Sequence, residues 1–328
     1  MRSRNCYILG MFPNLGEFNF VSKILENRVA LTERSPQFRG WLPVGDDCAI
    51  FDGWLATKDL SVENVHFRLD WSTPEQAVEK HIVSNVSDIS SMGGRPRLAL
   101  FGLCVNKSWS AEVRDRVAKA VSEGFAKRGI TLIGGDTVAG DVGMFSTTLL
   151  GEQVAATPLL RSGAKPGDSL YVTGTLGKSA AGLWLLMNHP EDAPEFPALV
   201  DFHLNPSIEE DWGETLVREG VNGACMDISD GLSSELNHIA LSSGVMLEIS
   251  EDLLPIDPEV CRMSQRYGLN SLDFAMNGGE EYGLLFSCSY KNDIFQTRIG
   301  SVLPGTGVYM KRKGGEKVSV NAQAWSHL

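Results

Sequence analysis

The stretch NGACMDISDGLSSELN, residues 222–237, decides how this chain is read. A short apolar run delivers Asp227 and Asp230 to a turn closed by Gly231, and a helical pattern follows from Leu232. Two carboxylates three residues apart repel each other unless a cation lies between them, and oxygen-rich sites of that kind suit hard divalent ions. Working outward, the same grammar recurs at Gly45-Asp46-Asp47, at Asp59, at Asp88 and at Gly134-Gly135-Asp136. Each aspartate falls at the expected end of a strand or on a polar helix face. Independent turns would not need so many, and the joint pattern implies magnesium–nucleotide chemistry.

The length of 328 residues is natural for two domains. A hydrophobic content of 43% with 21% charged residues is ordinary for a globular protein. The net charge of −12 and the pI near 5.0 exclude a basic nucleic-acid surface. An acidic protein that handles phosphates needs local cations, although acidity for solubility alone is equally consistent. The 6 cysteines form no C-x-x-C pair and mostly sit in apolar runs, which fits a reducing cytoplasm. The 6 histidines form no H-x-x-x-H pair, so no zinc site is expected. No stretch is apolar enough to span a bilayer, and no membrane partner is expected.

Periodicity predicts a helix over 17–27, strands over 48–51 and 54–62, and a long helix over 74–92 with Pro74 at its first position. His81, Asn85 and Asp88 share the polar side of that long helix. A strand over 97–105, a helix over 110–127 and a strand over 130–133 follow, the last running into a Gly-Gly-Asp turn at 134–136. Another strand covers 145–154. The turn-rich connector PLLRSGAKPGD, residues 158–168, marks a boundary. Beyond it come a strand over 169–173, a helix over 178–187, an exposed loop over 188–206 and a helix over 207–219. A strand over 223–227, a helix over 232–242, a strand over 281–287 and a terminal strand pair complete the chain. The domains expected are an extension over 1–15, an N-terminal domain over 16–156 and a C-terminal domain over 157–328.

Glycines at 134 and 135 would let backbone N–H groups approach a phosphate, with Asp136 on its metal. The loop Thr173-Gly174-Thr175-Leu176-Gly177-Lys178-Ser179 lacks the spacing of a phosphate-binding P-loop and reads as a strand–turn–helix junction with a serine cap. Asp168 reads as a turn former, and Asp46 reads equally as turn former or site residue. Taken alone, Asp88 suits a solvated helix face as well as a ligand.

Several of these segments together resemble the thiamine-monophosphate kinase family. They are Val44-Gly45-Asp46-Asp47-Cys48-Ala49, Asp59 with Val65-His66-Phe67, Asn85-Val86-Ser87-Asp88 and Leu132-Ile133-Gly134-Gly135-Asp136-Thr137. The Ser-Gly-Ala-Lys-Pro-Gly-Asp run from Ser162, Asp227-Ile228-Ser229-Asp230-Gly231, Gly278-Gly279-Glu280-Glu281-Tyr282 and Trp325-Ser326-His327 continue the match in order. The resemblance implies an α/β plus α+β, two-domain synthetase-like fold whose N-terminal domain pairs through its sheet in a homodimer. It implies transfer of the ATP γ-phosphoryl group to thiamine monophosphate. On that footing Asp47, Thr57, Asp59, Asp88, Asp136, Asp227 and Asp230 would hold Mg²⁺ ions. Gly135, Asp136, Arg161 and Ser229 would contact ATP, and His66, Glu280 and Trp325 the thiamine end. Phosphoryl transfer is mostly positioning and charge neutralisation, so clustered carboxylates and ions suit it. A turn role for His66 and an apolar plug role for Trp325 remain open alternatives.

The chain departs from the family at Lys58, where Thr57-Lys58-Asp59 replaces Ser-Thr-Asp. That ammonium could take the place of a cation, pair with aspartates or point outward. Asn64 stands where glycine is common, and Glu281-Tyr282-Gly283 replaces Asp-Tyr-Glu. Rival readings are another ATP-dependent enzyme of the superfamily, such as a selenide dikinase or a purine-pathway synthetase, and a nucleotide-binding protein without turnover. A dikinase's reactive cysteine and lysine in a glycine-rich loop are not visible.

Overall fold

The structure, a computed structural model, describes residue 24 and residues 45–289 and 297–323. The extension over 1–15, the helix expected over 17–27 apart from Ile24, and Trp325 lie outside the described residues.

Strands β1 (Ala49–Phe51), β2 (Trp54–Val62), β3 (Gly94–Asn106), β4 (Thr131–Gly140) and β5 (Met144–Gln153) form a 5-stranded sheet ordered β1-β2-β5-β3-β4. Only the β3–β4 pairing is parallel. Helix α1 (Pro74–Ser91) starts where Thr73 caps it, its side chain taking the Gln76 N–H while Gln76 returns to the Thr73 N–H. Its stripe of Ala77, Val78, Ile82, Val86 and Ile89 packs with Leu55, Phe145 and Leu149 of the sheet. Helix α2 (Ala111–Ala126) adds Val117, Val121 and Phe125 to the same core.

The second sheet has 7 strands ordered β12-β11-β8-β10-β6-β9-β7. They are β6 (Ser169–Val172), β7 (Cys225–Asp227), β8 (Met246–Ser250), β9 (Leu284–Cys288), β10 (Thr297–Leu303), β11 (Gly307–Lys311) and β12 (Lys317–Ser319). Around it lie α3 (Lys178–Asn188), α4 (Pro197–Leu204), α5 (Trp212–Arg218), α6 (Leu232–Ser243), α7 (Pro258–Tyr267) and α8 (Ser271–Asn277). Leu232, Leu236 and Ile239 of α6 bury against Leu247, Leu285 and Ile299. The two layers meet where α5 leans on α1. A Cβ added at Gly213 would fall 1.6 Å from the Ser90 carbonyl oxygen, so only glycine fits that crossing.

Some expectations change. Gly134-Gly135-Asp136 is no turn but part of β4, because β3 runs alongside in parallel register. There the backbone approach is close: a Cβ on Gly135 would sit 1.9 Å from the Phe101 carbonyl oxygen. The expected loop over 188–206 holds a 3₁₀ turn, Pro190–Glu195, and α4, since Phe196 and Leu199 bury against Leu185, Val260 and Met263. The helix over 207–219 shortens to α5, and the strand over 281–287 starts only at Leu284, after left-handed residues Glu280 (φ 63°) and Tyr282 (φ 54°). Strands β8 and β10 and helices α7 and α8 were not expected from the sequence.

Candidate active site

One face of α1 organises the site. Residues three and four apart share a helix face, and here Lys80, Ser84, Ser87, Asp88 and Ser91 do so. Each touches an acidic partner or the hydroxyl beside one. Lys80 Nζ donates to Glu280 Oε2 at 2.7 Å, and Ser84 bonds to Asp59. Ser87 Oγ donates to Asp227 Oδ2 at 2.6 Å. Thr57 Oγ1 donates to Asp88 Oδ2, and Ser91 Oγ to Asp47 Oδ2. At a rise of 1.5 Å per residue, Lys80 to Ser91 spans roughly 16 Å.

Beyond Ser91, Arg161 closes the row. Its Nε donates to Asp47 Oδ1 at 2.8 Å, and its backbone N–H reaches both Asp46 oxygens at 3.2 and 3.1 Å. Burial opposes the guanidinium charge, yet Asp47 and Asp46 outweigh it and hold the group firmly protonated. Asp46 also accepts the Asp47 N–H at 3.2 Å, so its turn role and its place beside Arg161 coexist. Asp168 is the turn former expected, taking the Lys165 N–H at 3.0 Å.

The carboxylates are crowded. Burial pushes Asp88 well up, and the charges of Asp59, Asp227 and Asp47 add to it. Asp227 rises to about 8 through burial and then Asp47. Asp46 rises to about 7 for the same two reasons. Asp59 is raised by burial, against the help of Ser84 and Lys58. Such a group needs protons or cations, and its all-oxygen donors suit Mg²⁺. Among the described residues the tight group with ligand atoms within 4.8 Å is instead His189, Glu191 and Asp192, a surface turn. Among the described residues, no three of the site carboxylates converge that closely.

The Lys80 end of the row is built around Glu280. Burial works against its charge, but Lys80 outweighs it and holds the carboxyl below its ordinary range. His203 Nδ1 lies 3.5 Å from Glu280 Oε2 and 3.0 Å from Ser179 Oγ. Burial and Lys80 lower His203 to about 4, which keeps its imidazole neutral. The Glu280 N–H donates to the Ser229 carbonyl at 2.7 Å, tying that loop to the Asp227–Asp230 turn. Asn64 adopts φ 66°, the left-handed conformation glycine usually supplies, and His66 Nδ1 accepts the Val62 N–H at 3.1 Å.

Other sequence candidates land differently. His81 and Asn85 turn into the core, the His81 ring nitrogens lying 2.8 Å from Ser61 Oγ and Thr147 Oγ1. Asp230 is exposed and its N–H donates to Glu235 Oε1 at 2.8 Å. The α3 start carries no serine cap; Glu281 Oε1 takes the Gly177 and Ser179 N–H groups at 3.0 and 3.1 Å. Asp136 stands apart from the cluster. Register aligns Leu60–Ser146–Gly102–Asp136 on one face of the sheet and Asp59–Thr147–Phe101–Gly135 on the other. Lys58 shares the Asp136 face, bonding Ser146 Oγ, and its charge still favours the ionised form of Asp59.

Sequence reasoning missed Lys80, the serines of α1, His203 and Glu235. Positions 80, 84, 87, 88 and 91 repeat at helical spacing, which was the available signal. Glu235 Oε2 is buried with no hydrogen-bond partner among the described residues, and burial followed by Asp230 pushes its carboxyl well up.

Residues 45–153 match the family described as AIR synthase related protein, N-terminal domain. The thiamine-monophosphate kinase of Aquifex aeolicus (strain VF5) is 33% identical over 325 residues, covering 96% of this chain and 98% of its own. That of Bacillus subtilis (strain 168) is 34% identical over 297 residues, with 87% and 90% covered. A solved structure described as AaThiL complexed with AMPPCP and TMP superposes with a TM-score of 0.81 at 33% identity, covering 100% of this chain and 99% of its own.

Proposed function

The chain belongs to the thiamine-monophosphate kinase family, and we propose that its carboxylate row carries the family's reaction, with ATP at the Arg161 end and the acceptor at the Glu280 end. It is an ATP-dependent phosphotransferase that moves the γ-phosphoryl group of ATP onto thiamine monophosphate, giving thiamine diphosphate. The observation that supports this placement is the α1 face, which lines one row of acids drawn from both sheets.

Magnesium fits the donors present: buried aspartate and threonine oxygens whose mutual repulsion Arg161 only partly offsets. Asp47, Thr57, Asp59, Asp88, Asp227 and Asp230 would hold the ions, with Asp136 assigned on the family resemblance alone. Ions held there would supply neutralisation of the phosphate charge. Arg161 and the backbone at Ser229 orient the nucleotide. Glu280 and His66 hold the thiazolium end, a carboxylate facing a cationic ring, with Trp325 assigned to the same end on the family resemblance alone. No side chain needs to form a covalent bond.

The enzyme works as a homodimer joined through the uncovered face of its first sheet, where Leu60, Leu100 and Val138 are exposed. Its setting is the cytoplasm, in keeping with cysteines that form no disulfide among the described residues. No helix among those residues is long and apolar enough to cross a membrane. The test is purified protein with Mg-ATP and thiamine monophosphate, followed by chromatography for thiamine diphosphate. Product should require all three components. Its absence at every Mg²⁺ concentration would overturn the assignment.

A further inference from the structure

Among the described residues the first sheet leaves one face bare, since α1 and α2 pack on the other. On the bare face, opposite Ala56–Val62 of β2, register places only apolar, small or hydroxyl side chains, with two exceptions. Lys58 heads the row Lys58–Thr148–Leu100–Gly134, and Asp136 ends the adjacent row that starts at Leu60. One cation and one anion therefore stand at opposite margins, diagonal across the centre between β5 and β3. Both are exposed; Lys58 bonds the Ser146 hydroxyl, and Asp136 accepts the Thr137 N–H. Three strand spacings put them roughly 14 Å apart in one chain, too far for an ion pair.

We infer that a second copy of this chain covers the face, with Lys58 of each copy paired to Asp136 of the other. This rests on the homodimer reading above and goes beyond it by fixing how the copies register. A two-fold interface is self-complementary: if residue i meets j, then j meets i. A two-fold axis lying along the centre of the face satisfies that rule for this diagonal pair and buries Leu60, Leu100 and Val138 together. An apolar face alone slides easily, whereas opposite charges at its margins select one alignment. The departure from the family at Lys58 thus acts between copies: its ammonium supplies at Asp136 the positive charge that the family resemblance assigns there to an ion.

Sedimentation equilibrium on the full chain tests the pair. K58D opposes aspartate to Asp136 at both margins, and D136K opposes lysine to Lys58. Each should weaken dimerisation by about 100-fold or more. An equimolar mixture of the two restores opposite charges at both margins and should recover a dimer of wild-type affinity. The double variant K58D/D136K should dimerise alone. Single variants that dimerise like wild type overturn the pair, as does a double variant that stays monomeric. A monomeric wild type overturns the dimer reading and the pair with it, whereas a dimeric wild type indifferent to charge overturns the pair alone.

Discussion

Lys80 on α1 and Glu280, far along the chain in a loop of the second sheet, form a buried ion pair with Nζ 2.7 Å from Oε2. The lysine side chain is 8% exposed and the glutamate 28%, so the carboxylate presents the open edge of the pair. His203, held neutral, cannot replace the lysine charge. Lys80 thus positions Glu280 across the junction of the two layers.

Lys80→Met should leave Glu280 desolvated and unpaired, a loss of roughly 2 kcal/mol, or about thirtyfold in KM for thiamine monophosphate. The KM for ATP should hardly move, and Lys80→Arg should recover part of the loss. Steady-state kinetics with each substrate varied checks this. Equal rises in both KM values would reduce Lys80 to a general structural role.

Asp227→Asn keeps an oxygen for the Ser87 hydroxyl but removes a charge from the crowded row. Turnover at limiting Mg²⁺ should fall by about 100-fold or more, since even residues behind a metal ligand matter tenfold to a hundredfold. Without metal, the same change should raise the melting temperature at neutral pH, because a repelled, buried carboxylate has gone. An active or a destabilised variant would each contradict the metal-ligand role.

Gly213→Ala tests the crossing of α5 and α1. The added methyl meets the Ser90 carbonyl at 1.6 Å, which is backbone and cannot swing aside. Overpacking of this kind costs about 1–3 kcal/mol or more. Thermal unfolding should show a clear drop, and kcat should fall with it, because α1 carries the acids' partners. An unchanged melting temperature would mean that α5 and α1 do not pack this closely.

Much of this was legible in the chain. Pro74 and the apolar stripe behind it mark α1, and the Asp227–Gly231 turn after an apolar run marks a strand–turn–helix. Alternation along β2 already set Lys58 opposite Asp59. What the sequence hid was long-range. Nothing local links Lys80 to Glu280, and Phe196 with Leu199 buries in a segment whose prolines and acids imitate a loop. The two glycines before Asp136 imitate a turn, yet β3 lies close enough to demand a residue without a Cβ.

The crowded carboxylates also set a pH dependence. In metal-free protein Asp227 stands at about 8 and Asp46 at about 7, both above the ordinary 3.8 because of burial first and Asp47 second. An acid raised on folding adds stability below its unfolded value and loses that contribution as pH climbs through its folded value. With EDTA present, the melting temperature should therefore decline as pH rises from about 4 toward about 8. Bound Mg²⁺ takes the place of those protons and stabilises the folded form by mass action. Its increment in melting temperature should be small near about pH 6 and distinctly larger near about pH 8.5, where fewer protons compete. Differential scanning fluorimetry with and without Mg²⁺ at both pH values decides the matter. Equal increments would show that the ions bind away from Asp227.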